Sequence, residues 1–413
     1  MVYVETGRRN LLKGVTAAVA LSAAGNVPPS GSGLATLTPR PKPITATEIR
    51  ARIARAQVLM RQQGLAAILV EPGASMRYYT GIDWWRSERI TCALIPVIGE
   101  ISVITPSFEE PSVRESLAIE ARVHTWLEDE DPIALIASAI PADAGAIGVE
   151  ETVRFFIVDG MMRSRPQVKF RSASDVVRRC RLVKSPAELA LMQYATDITI
   201  AAYRYTVPRV QIGMKPADVQ AIMKGATERL GGKSEFEEVL VGKASALPHG
   251  SNEPQVVRLQ DIVLMDCGCS VDGYQSDISR TFVVGKPTVR QRTLWSQVQH
   301  GQQVAFHAAV VGKPAGAVDD AVRSYYQKLG YGPGYRLPGL SHRTGHGIGL
   351  DGHEPINLVR GEMGRLQPGM CFSNEPGLYF PDLFGVRIED CFYMTENGPR
   401  WFSNPPTSLD QPV

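Results

Sequence analysis

The chain has 413 residues, long enough for two domains, and its 44% hydrophobic and 21% charged residues are those of an ordinary globular protein. Lys+Arg 44 against Asp+Glu 42 leaves a net charge of +2, which excludes a broad basic field for nucleic acid and leaves small, locally chosen partners. No stretch offers the roughly 20 apolar residues needed to span a bilayer, so stable membrane insertion is not expected.

In chain order, the first segment departs from the rest. GRRNLLKGVTAAVALSAAGNVPPSGSG is a basic start, a short Ala-rich apolar run, then Pro, Gly and Ser. Arg8-Arg9 followed by Leu11-Leu12-Lys13 resembles a twin-arginine export signal, so residues 1–43 are read as signal peptide and linker and set aside from the fold. Periplasmic or exported location follows from that reading; without it the chain stays cytoplasmic. TATEIRARIARAQVLMRQQGL has helical spacing and closes on Gly64, and AAILVEP is a short buried strand. CALIPVI, ISVIT and AIGVEE are further strands, which gives an α/β domain over residues 44–170. FRSASDVVRRCRLVK reads as the connection to a second domain over residues 180–403. That domain opens with KSPAELALMQYATDITIAAYRYTV, where Ser185 can cap, Pro186 suits the first helical turn and Glu188 completes a capping box.

Within it an order recurs: long helix, shorter helix, paired strands. GMKPADVQAIMKGATERLG in the first half corresponds to GKPAGAVDDAVRSYYQKLG in the second, and the junction of two such halves is a natural place for a site. IVLMDCGCSVDGYQSDISRTFVVG is a hairpin turning near Asp272-Gly273, which places Asp266 diagonal to Asp277 on one face. MCFSNEPGLYFPDLFGVRIEDCFYM repeats the plan, with Glu375 ending one strand and Glu389 inside the other, alternating with Val386 and Ile388. RTGHGIGLDGHEP adds His346 and His353 in a loop whose glycines allow close backbone approach. Four carboxylates and a histidine at the edges of apolar strands would raise each other's pKa unless cations neutralised them, so a metal cluster explains the group better than separate surface acids. The cysteines Cys92, Cys180, Cys267, Cys269, Cys371 and Cys391 lack the repeated CxxC spacing of a zinc module and read as core thiols.

The ordered set Asp266, Asp277, His346, Glu375, Glu389 resembles the five-ligand dinuclear centre of the methionine aminopeptidase, prolidase and aminopeptidase P superfamily. The resemblance implies a pita-bread catalytic domain with a pseudo-twofold repeat, preceded by a creatinase/prolidase-like α/β domain. It implies that Asp266 chelates one metal, that Asp277 and Glu389 bridge both, and that His346 and Glu375 are terminal ligands of the other. Glu375 would then carry the proton of a metal-bridging hydroxide, while His249 in ALPHG and His353 contact substrate and steady the tetrahedral intermediate. His342 in GLSH and Arg387 in VRIED match positions typical of the proline-specific branch; for His342 alone a structural hydrogen bond is the alternative. The cofactor implied is two divalent ions, manganese first, with cobalt, iron or zinc as substitutes; the substrate is a small peptide cut at an Xaa-Pro bond, and the assembly is a homodimer. A creatinase-like or other C–N hydrolase, or a non-catalytic binding protein on the same fold, is the competing expectation.

Overall fold

The computed structural model describes residues 33–413, so the twin-arginine stretch lies outside the described residues. Part of the expected linker is packed: Leu37 N–H donates to the Leu230 carbonyl at 3.2 Å and Arg40 pairs with Asp272 at 2.9 Å.

Helix α1 (Ala46–Gln63) starts at Thr45, whose hydroxyl accepts the Glu48 N–H, and stops at Gly64 with φ 67°, a left-handed conformation that glycine adopts without strain. A six-stranded mixed sheet follows, made of β1 (Ala67–Val70), β2 (Cys92–Pro96), β3 (Ser102–Pro106), β4 (Arg122–Trp126), β5 (Ala146–Val149) and β6 (Lys169–Ser172). Its order is β4-β3-β2-β1-β5-β6. Leu69, Leu94, Ile104 and Ile147 pack one face against Ile136, Ile157 and Met161 of the helices α4 (Pro132–Ala139) and α5 (Phe155–Ser164); the helices α2 (Ala74–Thr80) and α3 (Glu110–Ser116) precede them. The expected connection is itself structured. Its first half is the edge strand β6, and its second is helix α6 (Ser174–Arg181), which buries Val176, Val177 and Cys180 and packs on α1.

In the second part, α7 (Pro186–Thr206) begins with the expected capping box between Ser185 and Glu188. Next come α8 (Pro216–Leu230), β7 (Lys233–Val241), β8 (Ile262–Val271), β9 (Tyr274–Gln275) and β10 (Ile278–Val283), with sheet order β10-β8-β7 and β9 beside β8. The β8–β9 turn has Asp272 at φ 47° and Gly273 at φ 82°, two adjacent positive values that suit the right-handed twist of a two-residue hairpin. The plan then repeats with α9 (Val289–Ala308), α10 (Gly316–Lys328), β11 (Gly345–Gly347), β12 (Glu354–Leu358), β13 (Cys371–Asn374), β14 (Gly377–Phe380), β15 (Phe384–Arg387), β16 (Asp390–Thr395) and β17 (Gly398–Trp401). The five-stranded sheet runs β12-β11-β13-β16-β17, with β14 and β15 paired as a separate ribbon. One core joins Leu294, Trp295 and Val298 of α9 and Val318 and Val322 of α10 to Phe372, Ile388 and Phe392. All six cysteines are buried and free.

Candidate metal centre

Asp266 stands on β8 opposite Ser279 of β10 and Glu238 of β7. Two residues back along the same register, Asp277 lies diagonal to Asp266, in a short break between β9 and β10. Glu375 and Glu389 occupy matching breaks, between β13 and β14 and between β15 and β16. They face each other, because Asn374 pairs with Asp390 on one side and Gly377 with Arg387 on the other. The expected strand position of Glu389 is thus corrected: the ladder is interrupted there, and the freed amides turn outward. Glu389 N–H donates to the Ser279 carbonyl at 3.1 Å and Glu375 N–H to the Thr344 carbonyl at 2.9 Å, so these breaks tie neighbouring sheets together.

His346 sits on β11, squeezed between β12 and β13. A Cβ at Gly345 would lie 2.1 Å from the Ser373 carbonyl, which explains why a glycine precedes the histidine. His346 Nδ1 is 3.0 Å from the Gly347 carbonyl; a carbonyl only accepts, so Nδ1 carries the proton and Nε2 presents a lone pair. That lone pair faces Glu375 Oε1 at 3.3 Å and Asp277 Oδ2 at 3.6 Å. Lone pair against carboxylate is repulsive unless a cation lies between them. A proton on Nε2 is opposed by burial, which pulls the imidazole pKa well below its ordinary value.

The electrostatics ask for a cation in the same place. Asp277, His346 and Glu389 each offer a ligand atom, all within 4.8 Å of one another. Asp266 Oδ1, Asp277 Oδ1 and Glu389 Oε1 are buried with no hydrogen-bond partner, an unfavourable state for three carboxylates. Desolvation, then the neighbouring carboxylates, raise Asp277 and Glu389 well above the carboxylate range, and Glu375 is pushed up to about 7 chiefly by burial. Oxygen-rich, anionic and holding one imidazole, the residues Asp266, Asp277, His346, Glu375 and Glu389 fit hard or borderline divalent ions.

Arg387 is 3% exposed and lies inside this cluster. Its Nη2 meets Asp266 Oδ2 at 2.6 Å and Glu238 Oε2 at 3.5 Å, its Nε donates to Ser279 Oγ at 2.9 Å, and Ser279 Oγ donates to Glu389 Oε2 at 2.6 Å. The guanidinium is engaged with the carboxylates of Asp266 and Glu238 on the cavity wall. His342 likewise has both ring nitrogens taken: Nδ1–H donates to the Arg343 carbonyl at 2.7 Å, leaving Nε2 to accept from the Tyr379 hydroxyl at 2.8 Å. Burial, with Arg387 adding, pulls its pKa down to about 3. Direct substrate contact by His342 is not carried by this geometry; of the two expectations, the structural hydrogen bond fits.

A cavity of about 1170 Å³ opens onto the cluster. His249 and His353 are exposed on its wall beside Asp266, Asp277, His346, Glu375 and Glu389, so these two histidines and the five expected ligands share one space. The His353 ring stands edge-on to His346, centres 4.3 Å apart. Three contributors went unread in the sequence. Glu238, its pKa pushed up to about 7 by burial, faces Asp266, but the register of β7 that puts it there has no local signal. Arg343 lines the cavity from the position after His342. Arg181, from the supposed connection, reaches the same cavity.

Two similar α/β halves meeting at a buried, carboxylate-rich site with one imidazole define a pita-bread metallopeptidase. The chain belongs to metallopeptidase family M24, whose family model matches residues 190–396, and the creatinase/prolidase N-terminal domain matches residues 52–183. It is 33% identical to the probable dipeptidase PepE of Mycobacterium tuberculosis, covering 87% of this chain and 95% of that protein. An Xaa-Pro dipeptidase of Lactobacillus helveticus is 31% identical over 80% of this chain and 90% of its own. Among solved structures, the dipeptidase PepE from Mycobacterium ulcerans superposes with a TM-score of 0.81 at 31% identity, covering 89% of this chain and 99% of that one. The prolidase from Thermococcus sibiricus gives 0.80 at 26% identity, covering 86% and 97%.

Proposed function

We propose that the protein is a dinuclear metal-dependent peptidase that hydrolyses the Xaa-Pro bond of dipeptides or of peptide N-termini. The observation that carries the metal reading is the His346 Nε2 lone pair held against the carboxylates of Asp277 and Glu375, beside three buried carboxylate oxygens without partners. When bound, two divalent ions would supply Lewis-acid polarisation of the scissile carbonyl and lower the pKa of the attacking water. Asp266, Asp277, His346, Glu375 and Glu389 would hold those ions. Glu375, less buried than Glu389 and facing the cavity, takes the proton of the attacking water and passes it to the leaving nitrogen. His353 and His249, exposed on the wall, donate to the carbonyl oxygen as it gains charge. Arg387 keeps Asp266 in place and charge-balanced.

Specificity for proline is supported by the names of the relatives and by chemistry: proline's tertiary amide lacks the N–H that ordinary exopeptidases recognise. Arg343, steadied by Asn357 at 3.1 Å, offers a cation on the cavity wall for the free carboxylate of a dipeptide. This favours dipeptides over longer chains. The test is a panel of Ala-Pro, Ala-Pro-Ala and Ala-Ala with the manganese-loaded protein. Cleavage of Ala-Pro alone is expected. Turnover of the tripeptide makes the enzyme an aminopeptidase, equal turnover of Ala-Ala rejects proline specificity, and no cleavage of any peptide by metal-loaded protein rejects the peptidase reading for the creatinase-like or binding alternative. Export through the twin-arginine signal and assembly as a homodimer belong to the same proposal, the latter to be read by light scattering.

A further inference from the structure

We propose that Arg181, carried on the last turn of α6 with the N-terminal sheet, is a positioning residue that holds His353 over the metal-ligand cluster. Through it the N-terminal domain would act on catalysis. The inference rests on the peptidase reading, in which His353 contacts the reacting carbonyl.

Arg181 is anchored on one side and reaches across on the other. Its Nη1 donates to Ser75 Oγ at 3.2 Å, and Ser75 in turn donates to the buried Glu150 at 3.0 Å, both in the N-terminal domain. Its Nη2 pairs with Asp351 Oδ2 at 2.6 Å and with Glu354 Oε1. Glu354 also takes Lys184 Nζ at 2.8 Å and accepts the N–H groups of Leu350 at 3.1 Å and Asp351 at 3.3 Å. One carboxylate therefore closes the loop on itself while two cations fix it from outside. His353 lies between the two residues so held. A Cβ at Gly349 would come within 2.8 Å of the Glu354 carboxylate and of Lys184, so the loop has no slack at its start either.

The group is charge-balanced, two cations against two anions. The Arg181, Lys184 and Glu354 side chains are only 11%, 2% and 4% exposed. Buried ion pairs are a poor source of stability compared with packed apolar side chains, so the group is better explained here by the loop conformation it selects. Fixing geometry is what a transition-state contact needs, since a displacement of about 1 Å can lower the rate by about a hundredfold.

The experiment is a double-mutant cycle on Ala-Pro hydrolysis with elemental analysis of metal content. Arg181→Met is expected to lower kcat about tenfold or more with KM within about twofold and metal content unchanged, and Arg181→Lys to recover part of the loss. In the His353→Ala background, Arg181→Met should have less than about a twofold effect, because the residue it positions is gone. A purely structural role gives losses that multiply, and that result, or an unchanged kcat in Arg181→Met, overturns the proposal. Asp351→Asn, at a more exposed partner, runs the same cycle should Arg181→Met fail to fold, with a smaller expected loss. An independent readout is the imidazole NMR signal of His353 in the metal-free protein: one sharp signal should broaden or double in Arg181→Met, and an unchanged signal contradicts the latch. A wild type that binds metal yet cleaves no peptide sinks the peptidase reading, and the NMR result still decides whether Arg181 orders the ring.

Discussion

Glu354 shows how a residue outside the ligand set can set the terms at the site. Its carboxylate pKa is held down to about 2 by Arg181 and Lys184, which outweigh the burial that alone would raise it. A depressed folded-state value contributes stability that is present above the unfolded pKa of about 4.3 and lost as pH falls toward the folded value. Wild-type protein is therefore expected to lose this contribution between about pH 4.3 and pH 2, and Glu354→Gln to lack that part of the acid transition in a urea-unfolding series. At neutral pH the same variant takes the carboxylate from buried Lys184, while Arg181 keeps Asp351, and should be destabilised by about 3–5 kcal/mol; a change below about 1 kcal/mol shows that the cluster is not coupled to folding. His342→Ala removes two hydrogen bonds from a part-buried ring, so its expected effect is a stability loss of about 1–3 kcal/mol with KM little changed. A rise in KM alone would return His342 to the substrate-binding role. Residue types were legible from the sequence because acids beside apolar strand residues are conspicuous. Their partners were not: Arg387 lies two residues from Glu389 in the chain, yet its guanidinium meets Asp266, 121 residues away.

At the scale of elements, the breaks in the strands do what unbroken strands could not. Asp277, Glu375 and Glu389 all sit where the ladder pauses for two residues, which lets each backbone change partners while its carboxylate stays on the site. Hairpin turns and capping boxes were readable because their signals are local: Asp272-Gly273 supplies the two positive φ values and Ser185 with Glu188 closes the start of α7. The strand breaks, the edge strand β6 and helix α6 were missed because pairing between distant segments fixes them. The register of β11 is enforced by steric contact. Gly345→Ala would drive a methyl into backbone that cannot yield, so a lower melting temperature and lost metal binding are expected. Gly145→Ala, with no atom within 4 Å, serves as the neutral control. Equal melting temperatures for the two variants would show that β11 can shift. Ser185→Ala should lower stability by about 1 kcal/mol through loss of the cap.

For the whole molecule, the two halves place the proposed ligands from β8 and the β9–β10 break against those from β11 and the breaks flanking the β14–β15 ribbon, so neither half holds the full proposed set. Metal should then stabilise the fold as it fills the site: manganese at about 100 times its Kd adds about 2.7 kcal/mol, read as a raised melting temperature that a chelator reverses. Residues 1–43 fused to a reporter are expected to carry it to the periplasm, and Arg8→Lys with Arg9→Lys to keep it inside; a reporter that stays cytoplasmic with the native pair contradicts export. The central claim is that these buried acids and one imidazole exist to hold two ions through shared ligands. Its most direct measurement is the metal stoichiometry of purified wild type and Asp277→Ala after saturation with manganese and removal of free metal. Two ions per wild-type chain and fewer than one in the variant are predicted, because a bridging ligand serves both ions. Equal stoichiometry in the two proteins, or no metal retained by the wild type, would contradict the account.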